Sequence, residues 1–270
     1  MSFAPLDDLR TMRRGFRWRQ PRPRSWPEPA RVIPDAPENL EWARREPVRT
    51  LRYLIQRGVM MPVNELMTHP RIDGGEWLSN LDRPVIFTPN HTSHADTPLL
   101  LHAMPDRVRE RTVVAAAADY FYDRPWLGRL MSLYLNTFPF ARSGSATGVL
   151  HASGRLLRAG WNLLVYAEGT RTTDGTLGEF KAGVGHLAIE NRAPVVPMFL
   201  RGTLRVMPKG SRIPLPGPVT IRVGRPLEAA RGETSKQFTK RVEAAVRALS
   251  EGSEAPEVVG GWIDRWRRTQ

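Results

Sequence analysis

The chain contains 270 residues, enough for one domain with a sizeable core and extensions. Its 40 Lys and Arg residues against 27 Asp and Glu give a net charge of +13, which indicates an anionic partner such as a phosphorylated substrate, an acidic membrane surface or nucleic acid. The absence of cysteine excludes disulfides, thiol nucleophiles and Cys-ligated zinc. No apolar run reaches the ~18 residues of a membrane span and no signal peptide is visible, so we expect a cytoplasmic protein that associates peripherally with a membrane.

The first 47 residues are predicted to form a basic N-terminal arm. They contain eight prolines and many arginines, a composition that cannot pack a core. Trp18, Trp26 and Trp42 alternate with the charged residues, which suits a lipid headgroup region or stacked nucleic acid. An arm that only wraps its own domain is the alternative. Residues 256–270 are predicted as a basic tail that contains two tryptophans.

Between Val48 and Val59, apolar residues recur at helical spacing with arginines between them. This pattern predicts an amphipathic helix that ends near Gly58 and Pro62. Such an apolar stripe usually faces the core, and a membrane-facing helix is the alternative interpretation.

From residue 48 to residue 255, strand and helix patterns alternate. This alternation predicts one α/β domain with a mostly parallel central sheet flanked by helices. Apolar runs predict strands at 85–88, 113–118, 136–142, 162–166, 195–200 and 219–223. Thr234 and Gln237 form a capping box that opens the last predicted helix of the domain.

The turn after strand 85–88 combines a histidine with a carboxylate. Residues 90–96 read Asn-His-Thr-Ser-His-Ala-Asp and lead into a helix, a place where open sheets present functional groups. On a single helix His91 and Asp96 would lie about 140° apart, but with His91 still in the turn the chain can fold Asp96 back onto the imidazole. The pair predicts a general base with its orienting carboxylate, and a strand-end histidine bonded to its neighbours is the alternative. His94 is interpreted as a packing or local hydrogen-bonding residue.

Two arginines follow predicted strands, as His91 does. They are Arg142 and Arg171, and Glu168 lies close enough in sequence to hold the Arg171 guanidinium. Because the carboxyl ends of parallel strands share one edge of a sheet, these side chains are expected to line one crevice. A histidine base with two arginines suits a substrate that bears a hydroxyl and a phosphate or another anion.

Four motifs occur in a defined order along the chain. They are Asn-His-Thr-Ser-His-Ala-Asp at 90–96, a Phe-rich strand ending in Arg142, Glu-Gly-Thr-Arg at 168–171, and Ala-Pro-Val-Val-Pro at 193–197. In this order they resemble the motifs of the glycerolipid acyltransferase family, whose best-known members are the 1-acylglycerol-3-phosphate acyltransferases. The similarity covers roughly residues 80–225.

The resemblance implies a role for each matching residue. His91 and Asp96 correspond to the catalytic pair, and Pro197 to a residue that supports the acyl-donor side. The residues that match the acceptor-phosphate site are Arg142, Glu168, Gly169, Thr170 and Arg171.

The activity implied is that of an O-acyltransferase, which moves a fatty acyl group from acyl-CoA or acyl carrier protein to a hydroxyl of a lyso-phospholipid. His91 would remove the hydroxyl proton, and the alkoxide would attack the thioester directly, without a covalent acyl-enzyme or a cofactor. The expected partners are the acyl thioester, the lipid acceptor and an anionic membrane surface, and no nucleic acid.

The chain departs from the family pattern at several positions. Asn136 and Pro139 replace the usual Gly and Phe of the second motif, and Tyr166-Ala167 replaces Phe-Pro before Glu168. A lysine that is common after the second strand is absent, since the alanines at 115–118 run into Asp119. The loss of that cation affects the expected phosphorylated acceptor more than the acyl transfer itself.

Other functions fit parts of the pattern. A metal-dependent hydrolase would use His91, His94 and Asp96 as ligands, but the familiar zinc spacings are missing. A nucleic-acid-binding protein would explain the charge alone and has no recognisable binding module here. Among acyltransferases, the alternative acceptor is a glycolipid or another lipid alcohol.

Overall fold

The computed structural model describes residues 41–117, 125–140, 146–172, 174–208, 211, 213–252 and 258–259. The first 40 residues of the predicted arm lie outside these ranges, as does the predicted tail except for residues 258–259. Arg142 also lies outside the described residues.

The described chain is built around one mixed sheet. Its strands are β1 (Arg71–Asp73), β2 (Ile86–Pro89), β3 (Thr112–Ala117), β4 (Thr137–Phe140), β5 (Asn162–Leu164), β6 (Val195–Arg201), β7 (Thr220–Val223) and β8 (Val258–Val259). Their order across the sheet is β4-β3-β5-β2-β6-β7-β1-β8. The strands from β4 to β6 in this order run parallel, β7 is antiparallel to β6, and β8 is antiparallel to β1. The predicted α/β fold with a mostly parallel sheet is confirmed.

Helices connect the strands and cover both faces of the sheet. They are α1 (Val48–Ile55), α2 (Met61–Thr68), α3 (Glu76–Ser79), α4 (Asp96–Ala103), α5 (Asp106–Arg109), α6 (Pro125–Leu135), α7 (Ala146–Arg158), α8 (Gly183–Asn191), α9 (Thr203–Val206) and α10 (Ser235–Glu251). The predicted capping box opens α10, where Thr234 Oγ1 accepts from the Gln237 N–H and Gln237 Oε1 accepts from the Thr234 N–H.

The core forms two layers with β2 between them. Phe87 lies in the layer covered by α2, α4 and α5, and Ile86 lies in the layer covered by α7, α8 and α10. Alternate side chains of a strand point to opposite faces, so a central strand with both faces covered is apolar throughout. The carboxyl end of this buried strand carries the turn that holds His91.

The sequence suggested that the N-terminal helix ends near Gly58, but the helix continues beyond this residue. α1 continues through a π-helical turn at Gln56–Met60 directly into α2. The Met61 N–H bonds to the Gln56 carbonyl, five residues back, just before Pro62. Pro62, which has no N–H to donate, therefore follows the π-helical turn directly, at the point where the helical hydrogen bonding has already shifted from four residues to five.

The core-facing interpretation of the stripe on this helix is wrong. The exposed positions include Leu51, Leu54 and Val59. The inner face of α1 is polar: Arg52 donates to the Ala43 carbonyl, and Gln56 Nε2 donates to the Tyr134 carbonyl at 2.8 Å. Because these inward polar groups are hydrogen-bonded, burying them is tolerated and the apolar stripe is left facing outward.

Residues 41–47, assigned from composition to the arm, contact the domain. Glu41–Arg44 form a 3₁₀ helix in which Ala43 is buried, and Trp42 packs against the layer that contains α7, α8 and α10. Within the ranges that the structure describes, no helix combines the length and the apolar character needed to cross a bilayer.

Candidate active site

The turn after β2 folds back and brings His91 to Asp96. His91 Nδ1 lies 2.9 Å from Asp96 Oδ2, and the Asp96 side chain is buried while 17% of the His91 side chain is exposed. α4 begins at Asp96, so His91 precedes the helix, as the five-residue spacing requires. A carboxylate only accepts hydrogen bonds, so the proton of the neutral imidazole lies on Nδ1 and Nε2 is the basic nitrogen.

The Asp96 carboxylate is itself held by the turn. Its Oδ2 accepts from the N–H groups of Thr92 and Ser93, both at 2.8 Å. Ser93 Oγ accepts from the Ala95 N–H and donates to the Met207 carbonyl at 2.8 Å. The position at the start of α4 also favours negative charge. The carboxylate is therefore fixed in the place from which it orients His91.

The start of the turn is tied to the neighbouring strand. Asn90 Oδ1 accepts from the Leu200 N–H at 2.7 Å, and Asn90 Nδ2 donates to the Leu200 carbonyl at 3.1 Å. These two bonds replace the ladder between β2 and β6 at the point where the chain leaves the sheet. The side chain of the first residue of the motif thus anchors the turn to β6 immediately before His91.

Glu168, which the resemblance places at the acceptor phosphate, is buried against the His91 turn. Its Oε1 accepts from the His91 N–H at 2.7 Å, and its Oε2 accepts from the Gly178 N–H at 2.8 Å. Burial raises the pKa of this carboxyl, the two backbone bonds oppose the rise, and nearby Asp96 adds to it. Because both oxygens are bonded to backbone, the geometry favours a positioning role for Glu168 over direct contact with substrate.

The ring of Tyr166 stacks on the imidazole. The centroids of Tyr166 and His91 are 3.8 Å apart, and their planes differ by 21°. Tyr166 ends the apolar run that begins with β5, two residues before Glu168. The last turn of this connection therefore contributes both a ring and a carboxylate to the support of His91.

His94 belongs to the same turn and is uncharged at neutral pH. Burial, with Arg171 and His91 nearby, lowers the pKa of His94 to about 4. So weak a base does not take a proton from a hydroxyl at neutral pH. His94 is therefore the less suitable of the two histidines of this turn to act as a base.

A cavity of about 500 Å³ opens beside His91. Its lining is mainly apolar and includes Val114, Ala116, Leu135, Val149, Leu150 and Leu187. These residues come from β3, α6, α7 and α8, so the cavity extends between the sheet and its helices. A cavity of this kind accommodates a long apolar group whose reactive end lies at the histidine.

The structure brings together some of the predicted acceptor residues. Gly169 and Arg171 line the cavity with His91. Thr170 is exposed, and Arg142 is outside the described residues. Among the described residues assigned to anion binding, Arg171 and Gly169 therefore share the cavity with His91.

Lys181 is a further cation of the cavity and was missed in the sequence. Its N–H donates to the Ala167 carbonyl at 2.9 Å, and its side chain crosses Gly169. A Cβ at Gly169 would lie 2.7 Å from Lys181 Nζ, and φ at Gly169 is +76°. The positive φ favours glycine there, and a Cβ would displace the end of the Lys181 side chain from its position across Gly169. The Gly-rich turn before Phe180 is the feature of the sequence that could have indicated Lys181 as a site residue. Such a turn reverses the chain and brings the following residues back to the carboxyl end of the strand.

Metal ligation was the rival interpretation of this histidine-rich turn. Throughout the part of the chain that the structure describes, no three His, Asp or Glu side chains cluster as a metal site would require.

Comparisons with known proteins show which family this domain is similar to. Residues 69–201 match the family model described as Acyltransferase. The range contains the His91–Asp96 pair together with Glu168 and Arg171. The fold and the site define an α/β acyltransferase domain. Residues 69–201 belong to the acyltransferase family, and the resemblance to the glycerolipid acyltransferases inferred from the four motifs is confirmed.

The chain matches part of the length of each named relative. The chain is 30% identical over 165 residues to a chloroplastic 1-acyl-sn-glycerol-3-phosphate acyltransferase from Brassica napus, which covers 60% of this chain and 46% of the relative. It is 31% identical over 193 residues to one from Chlamydomonas reinhardtii, with 70% and 54% covered. The chain thus spans about half the length of these curated relatives.

A solved structure is also similar. It is the 1-acyl-sn-glycerophosphate acyltransferase PlsC from Thermotoga maritima, with a TM-score of 0.59 and 25% identity. The similarity covers 81% of this chain and 84% of that chain.

Replacing His94 with Gln should flatten the acid side of the stability curve. Between about pH 6.5 and about pH 4 the unfolded chain protonates His94 and the folded chain does not, so the free energy of unfolding falls as the pH decreases through this window. The His94→Gln variant lacks this contribution. Urea unfolding of both proteins at several pH values across the window measures it. Identical pH dependence would show that His94 titrates alike in the folded and unfolded chains.

Proposed function

We propose that the protein transfers a fatty acyl group from an acyl thioester to a hydroxyl of a lyso-phospholipid such as 1-acylglycerol-3-phosphate. The observation that carries this proposal is the His91–Asp96 pair beside an apolar cavity of about 500 Å³. The named relatives support the choice of acceptor, since each is a 1-acyl-sn-glycerol-3-phosphate acyltransferase. The thioester is carried by CoA or by acyl carrier protein.

The reaction follows from the protonation states at the pair. His91 Nε2 takes the proton of the acceptor hydroxyl while Asp96 holds Nδ1–H and the charge that forms on the ring. The new alkoxide attacks the thioester carbonyl, the C–S bond breaks, and the thiolate takes the proton back from Nε2. The chain has no cysteine, and direct attack requires neither an acyl-enzyme nor a cofactor.

Charge at the cavity suits a phosphorylated acceptor. Arg171 and Lys181 line it with the base. Arginine offers a planar fork to phosphate oxygens, and lysine offers a compact charge. We propose that these two cations hold the acceptor phosphate, so that Lys181 supplies part of the charge that the missing lysine after β3 would give. Arg142 and Thr170 remain candidates from the motif comparison.

The base is tested by His91→Ala. The variant should lower kcat by about 10²- to 10⁴-fold, because His94, the other histidine that lines the cavity, has its pKa lowered to about 4 and is a poor substitute for the lost base. The assay measures thiol release from acyl-CoA with 1-acylglycerol-3-phosphate as the acceptor. His151→Ala, which removes an exposed histidine on α7, is the matched control and should keep the parent rate.

A near-normal rate in His91→Ala would contradict the mechanism. The same assay with a monoacylglycerol tests the acceptor. Equal turnover of the neutral lipid would show that the phosphate is not recognised and would favour a glycolipid or another lipid alcohol.

The substrates are amphiphiles, so we propose that the protein binds to an anionic membrane surface. The support is an exposed apolar surface on α1 and α2, formed by Leu51, Leu54, Val59, Val63 and Leu66. α1 packs against α6, which adds exposed Trp126 and Leu130 and also lines the cavity. The apolar surface and the cavity thus share helix α6. The basic arm and tail would add electrostatic attraction to anionic lipids.

Membrane binding is tested by the double variant Leu54→Gln/Leu66→Gln. Full burial of a leucine side chain is worth ~1.5–3 kcal/mol, so the partition coefficient onto anionic vesicles should fall by about tenfold or more. Sedimentation with the vesicles measures it. Ala244→Gln places the same side chain on the exposed face of α10, on the other side of the sheet, and should bind as the parent does. Unchanged binding by the double variant would show that this surface does not meet the membrane.

A further inference from the structure

We propose that Tyr166 is a positioning residue for the acyl transfer. Its ring sets the plane of the His91 imidazole, and its hydroxyl connects that ring to the helix that carries Asp96. The inference rests on the function proposed above and adds a residue whose role comes from contacts within the structure.

The contacts of Tyr166 form a bridge across the site. Its ring lies face to face with the imidazole of His91, with centroids 3.8 Å apart and planes within 21°. Its hydroxyl lies 2.7 Å from Thr97 Oγ1. Thr97 directly follows Asp96 in the first turn of α4. One side chain therefore touches the base and is fastened beside the residue that orients the base.

The hydrogen bond to Asp96 does not prevent the imidazole ring from tilting. A single hydrogen bond at Nδ1 holds one ring atom at 2.9 Å, and the ring can tilt about that contact. A stacked ring blocks the tilt, so the lone pair of Nε2 keeps one direction. Proton transfer depends on such alignment, and displacements of about 1 Å can cost about 10²-fold in rate.

The stack also stabilises the charge that forms on the His91 ring during the reaction. When Nε2 takes the proton, a cation forms against the negative π-face of the phenol ring. This attraction is present in the transition state and not when the neutral base binds substrate. Interactions of that kind raise kcat and leave KM nearly unchanged.

The hydroxyl keeps the phenol in this place. Burial raises the pKa of Tyr166 well above its usual value, and Asp96 adds to the rise. The phenol therefore stays neutral and shares its hydrogen bond with Thr97. Tyr166 stands where the family motif has Phe, so the ring is expected to supply most of the effect and the hydroxyl a smaller part.

Kinetics of Tyr166→Leu and Tyr166→Phe test the proposal. Tyr166→Leu should lower kcat by about 10- to 100-fold, with KM for both substrates within about threefold of the parent. Tyr166→Phe should recover most of kcat because it keeps the ring. Thr97→Val should match Tyr166→Phe, and the double variant should be no worse than either, since both remove the same bond. An unchanged kcat in Tyr166→Leu, or a loss that appears only in KM, would overturn the proposal.

Proton NMR of the full chain tests the stack separately from activity. In the parent, the ring protons of His91, assigned with His91→Gln, should be shifted upfield by the phenol ring, and Tyr166→Leu should remove the shift. Tyr166→Phe should keep the upfield shift. If Tyr166→Leu does not fold, the shift in the parent and in Tyr166→Phe still tests the stacking. Absence of a shift in the parent would refute the stacking. Absence of acyl transfer by the parent would instead refute the proposed function.

Discussion

One carboxylate oxygen organises this site. Asp96 Oδ2 accepts from the backbone of Thr92 and Ser93 and from His91 Nδ1, all within 2.9 Å. The two backbone bonds determine the shape of the turn, and the third orients the base that the turn presents. The carboxylate oxygen that shapes the turn is thus also the one that orients His91. A buried carboxylate with several donors on one oxygen also has little freedom to move.

The sheet supplies the rest of the support. Parallel strands end at one edge of the sheet, so the turns after β2 and β5 meet there. The pairing between β2 and β6 continues to the last residue of β2. Asn90 ties the His91 turn to β6, and Glu168 ties it to the chain after β5. Each bond joins residues far apart in sequence, so β2, β5 and β6 have to be in place for His91 to be held in this position.

Local patterns predicted the parts of this site that depend on local geometry. The strand, the turn and the spacing of His91 and Asp96 are neighbours in sequence, and their contact follows from the chain's reach. The roles of Glu168 and Lys181 depend on how separate strand ends meet, which spacing does not encode. The same applies to α1, because the periodicity of its apolar residues does not say which face of the helix points inward. Arg52 and Gln56 lie on the inward face, where groups from other elements satisfy their hydrogen bonds.

The measurement that tests the account most directly is a double-mutant cycle on the acyl transfer rate with His91→Ala and Asp96→Asn. Asp96 is held to act through the imidazole, so Asp96→Asn should lower kcat strongly in the parent and should cost nothing further when His91 is already absent. Losses that multiply in the double variant would contradict the account, because they would show that Asp96 contributes to the reaction independently of His91.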